Sequence, residues 1–174
     1  NYDHLSSVVF CVNTDLEARL QQALARCAQL EAQLAEKEAA ISAVPTATEE
    51  ELEFMTGTKD VKEGAHMLLE QYPDIKVMNV TMGKEGSISF HEGKEVFQAP
   101  FLQENTIETT GAGDTFGACA LNYVLEHGIT GLTEENLQEM LRFANGASSL
   151  ITTKKGALRV MPEKEEVLAF IAEK

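Results

Sequence analysis

Apolar residues recur along the chain either at helical spacing or in short continuous runs. From Asp15 to Ala40 the sequence is rich in Ala, Leu, Glu and Gln and has neither Gly nor Pro, which predicts one long helix. Further helices are predicted at 48–57, 61–71, 114–127, 133–152 and from 162 onward. Strands are predicted at 7–12, 41–47, 74–81, 87–90 and 95–99, and the glycine-containing turn between 74–81 and 87–90 predicts a hairpin or a strand with a bulge there. This alternation indicates an α/β fold with a mainly parallel sheet.

The long helix carries a second pattern, because two sets of its positions recur every seven residues. These positions are Leu20, Cys27, Leu34 and Ile41, together with Leu16, Ala23, Leu30 and Lys37. Heptad spacing is typical of helices that pair with another helix, although Cys27 and Lys37 make it imperfect. Two interpretations stay open, an amphipathic helix packed on a sheet and a helix that pairs with a partner or with itself.

The segment 109–118 is the most informative for chemistry. Gly111 and Gly113 flank Ala112, Asp114 follows at once, and the apolar residues after it have helical spacing. Backbone N–H groups at such a helix start form an anion site. Asp114 would repel a phosphate, but it would be useful if it took a proton from a hydroxyl that attacks phosphate. The alternative is a glycine turn with Asp114 as the helix N-cap.

Composition narrows the class of protein. The chain has 174 residues, which fits one domain, and 14 basic against 28 acidic residues give a net charge of −14. This charge argues against binding to nucleic acid or to an anionic membrane. We see no apolar run long enough to span a bilayer and no signal peptide at the N-terminus. The 3 cysteines are far apart and the 4 histidines lack metal-ligand spacing, so we expect a cytoplasmic protein with reduced thiols.

Five segments form an ordered set along the rest of the chain: Glu49–Gly57, Val80–Gly86, Thr110–Phe116, Phe143–Ser149 and Thr153–Ala157. In this order they resemble the signatures of the ribokinase-like (PfkB) carbohydrate kinases, above all bacterial fructokinases. The resemblance covers about residues 48 to 170. It implies a three-layer C-terminal half of that fold, with helices on both faces of a mainly parallel sheet. We therefore expect one partial domain over 1–174, in which 1–47 is a divergent strand plus the long helix and 48–174 the ATP-binding region.

The resemblance implies an ATP-dependent sugar kinase, most similar to enzymes that phosphorylate fructose. Asp114 would be the base that deprotonates the sugar hydroxyl. Gly111, Ala112 and Gly113 would form the anion hole that stabilises the transferred phosphate through backbone N–H groups.

The resemblance also implies positions that hold the nucleotide and its ions. The nucleotide would be lined by Thr81, Gly83, Gly86 and Asn145, the last of these near the adenine. Glu51 would act through water on the Mg²⁺ that accompanies ATP, and Glu108 would lie near a monovalent-cation site such as one for K⁺. Each residue also has a structural interpretation, such as a helix cap for Glu51 and chain turns for Gly83 and Gly86.

The sequence departs from the family pattern in several places. Thr48 stands where the family has Asn, Glu108 where it usually has Asp, and Cys11 and Asp15 where it has Asp and Arg. The resemblance also begins in the middle of the family's fold, whose N-terminal half supplies the first strands, a β lid and most sugar contacts. The alternative function is therefore an inactive nucleotide-binding or helix-pairing module. The partners that we expect are ATP and a sugar, with a homodimer or a complementing N-terminal half as further options.

Overall fold

The structure is a computed structural model that describes the backbone of residues 2–174 and the side chains of residues 16–157 and 159–174. It divides into two units, residues 1–39 and 40–174. Helix α1 spans Tyr2–Ala43, so the predicted long helix is confirmed and is longer than expected. That these units form a single domain stays a prediction. No helix of the described chain is long and apolar enough to cross a membrane.

The strand predicted at 7–12 is wrong, because this segment belongs to α1. A strand must pair its backbone groups with a neighbouring strand, whereas a helix pairs them within its own segment. A short apolar run that directly precedes a strong helix-forming sequence therefore extends that helix at little cost.

The second unit contains one four-stranded sheet in the order β1-β2-β3-β4. The strands are Thr46–Thr48, Met78–Thr81, Ser87–His91 and Lys94–Gln98. Strand β1 pairs with β2 in parallel, but β2 with β3 and β3 with β4 are antiparallel. The expectation of a mainly parallel sheet is therefore wrong for the described strands, whereas the hairpin expected at 74–81 and 87–90 is confirmed. The reason is the short connections after β2 and β3, since tight turns can join only antiparallel neighbours.

Helices cover both faces of this sheet. On one face lie α2 (Glu49–Thr56) and α3 (Val61–Gln71), whose Leu52 and Leu68 pack with Val80 and Phe90. On the other face lie α4 (Ala112–His127) and α5 (Glu134–Ile151), and α6 (Lys164–Ala172) packs on α5. The three-layer α/β architecture is thus confirmed.

Candidate functional site

The glycine loop begins α4. Gly111 precedes the helix with a φ of 81°, in the left-handed region that glycine adopts without strain. A Cβ atom on Gly111 would lie 3.0 Å from the Cβ of Ala157, so this loop closely approaches the loop that follows α5. Glycine is favoured at 111 by both conformation and space.

The first turn of α4 leaves backbone N–H groups available. No side chain caps the helix, and the amide of Ala112 donates to the carbonyl of Thr109 over 3.1 Å. Within the described chain, the amides of Gly113 and Asp114 have no backbone acceptor. Gly113 is exposed, and a Cβ atom there would meet nothing within 4 Å. An uncapped, open helix start of this kind can bind an anion.

Asp114 is exposed on this same turn. The interpretation of Asp114 as the helix N-cap is wrong, because the capping position belongs to Gly111 and Asp114 lies three residues further on. Its neighbour Thr115 is buried, and the Thr115 hydroxyl donates to the carbonyl of Gly111 over 2.8 Å. The carboxylate is therefore presented to solvent beside the free amides.

A cavity of about 500 Å³ opens beside the start of α4. Its walls are the turn after β2, the segment 100–106, the first residue of α4 and one face of α5. Of the residues predicted from the sequence, Gly83, Ala112 and Asn145 line it. Lys84 is the only basic side chain among the described lining residues.

Asn145 holds the wall of this cavity together. Its side chain is 8% exposed. The Oδ1 atom accepts a hydrogen bond of 3.0 Å from the Ser87 hydroxyl, and the Nδ2 atom donates to the carbonyls of Gln98 and Ala99 over 3.2 and 3.3 Å. One amide on α5 thus joins β3 and the end of β4 at the edge of the cavity.

Two serines next to Asn145 were given no role from the sequence, although they belong to the same wall. The Ser148 hydroxyl donates to the carbonyl of Ala112 over 3.0 Å, and the Ser149 hydroxyl donates to the carbonyl of Phe101. Residues 145, 148 and 149 lie close on α5, so this helix binds both the 98–101 segment and the start of α4. Helical spacing of small polar residues on an otherwise apolar face was the signal that could have identified them.

Thr81 and Gly86 do not line the cavity. Gly86 has a φ of 109°, and a Cβ atom there would lie 2.3 Å from the carbonyl oxygen of Gln98, so this glycine serves the close approach of two strands. The hydroxyl of Thr81 lies 3.5 Å from the carbonyl of Ala47 at the end of the parallel pair β1–β2. The structural interpretation is the stronger one for both residues.

Glu51 forms a capping box with Thr48, as predicted from the sequence. The Thr48 amide donates to Glu51 Oε2 over 2.8 Å, and the Glu51 amide donates to Thr48 Oγ1 over 3.2 Å. Threonine therefore replaces the family's asparagine without loss of the helix cap. Glu51 remains exposed, at the carboxyl end of β1, and its other carboxylate oxygen is available. In α/β sheets, ligands bind at this end of parallel strands.

Glu108 lies between the glycine loop and the loop after α5. Its Oε2 atom accepts a hydrogen bond of 3.2 Å from the Gly156 amide. Hydrogen bonds from the Thr110 hydroxyl and from Gly156, with the nearby positive charge of Lys155, hold the pKa of Glu108 below its ordinary value. Among the described residues, no three or more His, Cys, Asp or Glu side chains are grouped so that they could hold a metal ion.

An α/β unit with an uncapped glycine loop at a helix start, next to a cavity that reaches Ala112, has the features of an anion-binding site. The comparisons with known proteins agree. The family model described as pfkB family carbohydrate kinase matches residues 15–164. The chain is 37% identical over 125 residues to "Probable fructokinase-2" of Arabidopsis thaliana, covering 70% of this chain and 36% of that protein.

Two solved structures share the fold. One is a fructokinase from Vibrio cholerae O395 in a form bound to fructose, ADP and a calcium ion, with a TM-score of 0.63 and 28% identity. The other is a ribokinase from Arabidopsis thaliana complexed with ribose and ATP, with a TM-score of 0.60 and 32% identity. Each match covers 74% of this chain. It covers 41% of the fructokinase chain and 40% of the ribokinase chain. The chain belongs to the pfkB family of carbohydrate kinases, and it spans less than half the length of these relatives.

Proposed function

We propose that this chain carries the ATP site of a sugar kinase of the fructokinase type. In the reaction, a sugar hydroxyl oxygen would form a bond to the γ-phosphorus of ATP while the bond to the ADP oxygen breaks. Asp114 would take the hydroxyl proton. The free amides at the start of α4 would stabilise the charge on the transferred phosphoryl group. The observation that carries the proposal is the exposed carboxylate of Asp114 on the same uncapped turn as these amides.

The cavity beside α4 is the proposed site of the nucleotide. It has room for a nucleotide-sized ligand, it reaches Ala112 on the first turn of α4, and its lining carries one cation, Lys84, and one acid, Glu104. The two solved relatives hold ADP and ATP, which supports a nucleotide as the ligand of this chain. Because the whole chain carries a net charge of −14, the phosphates must be held by local amides and single cations.

The donor set fits Mg²⁺ only in combination with ATP. Mg²⁺ is usually held by one or two carboxylates together with phosphates and water. Glu51 has one carboxylate oxygen in its capping box and one available, which suits contact through water. The ion would neutralise phosphate charge when it is bound. Glu108, kept ionised by its neighbours, is suited to a monovalent cation such as K⁺.

The test is a comparison of Asp114→Asn with Asp74→Asn, which removes the same charge from an exposed position outside the site. We expect Asp114→Asn to slow phosphate transfer from Mg-ATP to fructose by about 10²–10⁴-fold, the usual contribution of a general base. Calorimetry should show that both variants still bind Mg-ADP. Unchanged transfer by Asp114→Asn would refute the role of Asp114.

A chain that binds Mg-ADP but transfers no phosphate should be tested again with the N-terminal half of a fructokinase added in trans. Recovery of transfer would support the kinase with a complementing partner. Continued inactivity would favour the second candidate, a non-catalytic nucleotide-binding or helix-pairing module. The observation that favours this candidate is the row of exposed leucines along α1. A cytoplasmic location stays a prediction.

A further inference from the structure

Helix α1 exposes an unusual amount of apolar surface. Every residue from 16 to 39 is exposed. The large apolar side chains among them are between 49% and 58% exposed, and they are Leu16, Leu20, Leu24, Leu30 and Leu34. A continuous apolar stripe of this size usually marks a surface that another protein covers.

Four of these five leucines fit a single heptad register, and Leu24 takes an e position beside it. Leu20, Cys27, Leu34 and Ile41 take the a positions, and Leu16, Ala23, Leu30 and Lys37 take the d positions. The stripe covers nearly four heptads, about 39 Å of helix at 1.5 Å per residue. This length and the seven-residue recurrence favour a coiled-coil seam, which is interrupted at Lys37 and flanked by Leu24, over the wider face of period 3.6 that a helix packed on a sheet needs.

The charges beside the seam select the orientation of a partner. In this register Arg19 and Arg26 take g positions, whereas Glu31 and Glu38 take e positions. A parallel pair brings each g position against the e position five residues further along the other helix, which places Arg26 opposite Glu31 twice. An antiparallel pair over the same seam brings e against e and g against g, so that Glu17 faces Glu38 and Arg26 faces Gln33 without an acidic partner.

We propose that α1 pairs with α1 of a second copy of this chain as a parallel, in-register, two-stranded coiled coil. The seam buries Leu16, Leu20, Leu30 and Leu34, and Arg26 of each copy pairs with Glu31 of the other. Lys37 is the one charged residue in the seam. A single charged seam position lowers stability but helps to fix register and oligomeric state.

Cys27 makes this arrangement directly testable. It is exposed, and it occupies an a position. In a parallel, in-register dimer the two copies of Cys27 face each other. With helix axes up to 10 Å apart and Cα atoms about 2.3 Å from each axis, facing Cα atoms lie roughly 5–6 Å apart. Disulfides span about 4.4–6.8 Å between Cα atoms. In an antiparallel pair an a position faces a d position, so Cys27 would not meet Cys27.

The experiment uses the full chain with Cys11→Ser and Cys119→Ser, which leaves Cys27 as the one remaining cysteine of the 3. We expect a dimer mass by sedimentation at high micromolar concentration, and a disulfide-linked dimer on mild oxidation. The double variant Leu20→Glu with Leu34→Glu should raise the dissociation constant of the dimer by at least about a hundredfold, because it removes four buried leucines from the dimer. The matched control is Gln22→Glu with Gln29→Glu, which adds the same charges at c positions outside the seam.

Each outcome decides the proposal. A monomer over the whole concentration range, with no cross-linking beyond that of the seam variant, overturns it. A dimer that does not cross-link through Cys27 overturns the parallel, in-register arrangement, and a trimer overturns the two-stranded form. A dimer that survives the seam variant uses another surface and also overturns it. Binding of Mg-ADP, measured on the same samples, tests the proposed function separately.

Discussion

Replacement of Asn145 by Ala is the sharpest test of how the cavity wall is built. Asn145 is almost fully buried, and its amide makes three hydrogen bonds to Ser87, Gln98 and Ala99. Ser87 has no exposed surface, so bulk water could not replace the hydrogen bond that its hydroxyl would lose. We expect this variant to fold but to be markedly less stable.

The expected magnitude follows from these contacts. The bond from Ser87 measures 3.0 Å and contributes about 1 kcal/mol, and leaving its buried hydroxyl unpaired costs about 1 kcal/mol or more. The two bonds from Nδ2 are longer, at 3.2 and 3.3 Å, and contribute about 0.5 kcal/mol each. The sum is about 3 kcal/mol, which lowers the ratio of folded to unfolded chain by roughly two orders of magnitude.

Urea unfolding followed by circular dichroism measures this change. Asn122→Ala is the matched control, because Asn122 is exposed on α4 and its amide bonds only Glu126 within the same helix. We expect it to change stability by less than about 0.5 kcal/mol. Asn145→Ala should also weaken Mg-ADP binding at a temperature where the variant is fully folded, because the 98–101 segment loses its attachment.

The reasoning would be refuted if Asn145→Ala and Asn122→Ala had the same effect on the free energy of unfolding. In that case the hydrogen bonds of Asn145 would contribute nothing net. A stability loss of the expected size with unchanged nucleotide affinity would instead show that these hydrogen bonds stabilise the fold but do not contribute to nucleotide binding.

Two further predictions concern Gly86 and Glu108. Gly86→Ala should destabilise the chain by more than about 2 kcal/mol in urea unfolding, because its Cβ would lie 2.3 Å from the Gln98 carbonyl oxygen. The control Gly93→Ala has nothing within 4 Å of its Cβ and should cost only about 1 kcal/mol for its positive φ. Equal losses of stability in the two variants would contradict the steric argument. Because the pKa of Glu108 is lowered in the folded chain, its carboxylate stabilises the fold above the ordinary value of 4.5, and this stabilisation is lost as the pH falls through the lowered pKa. Glu108→Gln should therefore reduce stability at pH 7 and have a smaller effect in strong acid, and a pH-independent difference would speak against the assignment.

The sequence predicts the local elements of this fold well. Helix α3 was expected at 61–71 and is found at Val61–Gln71, and the capping box of Thr48 and Glu51 is present as expected. Both depend on interactions within a few residues, which the sequence states directly. The antiparallel pair of β2 and β3 was expected from the glycine-containing turn between them, whereas the alternation of strands and helices gave the wrong expectation of a mainly parallel sheet.

In the candidate site too, the sequence predicted the local features and missed contacts between distant parts of the chain. The glycine loop, Gly83 and Asn145 were identified from the sequence, the last two through the family resemblance, and the structure places Gly83, Ala112 and Asn145 around one cavity. Ser148 and Ser149 were assigned no role, because their partners Ala112 and Phe101 lie 36 and 48 residues away in the chain. Contacts of this range become visible only when α5 is placed against the sheet.

The attachment of both cavity walls to α5 has a consequence for ligand binding. Asn145 and Ser149 tie the 98–101 segment to this helix, and Ser148 ties the first residue of α4 to it. The two walls therefore cannot separate as a hinge would allow unless these bonds break. The cavity is organised before a ligand arrives, so little conformational entropy remains to be lost there on binding. Closure around a sugar would have to come from elements other than these walls.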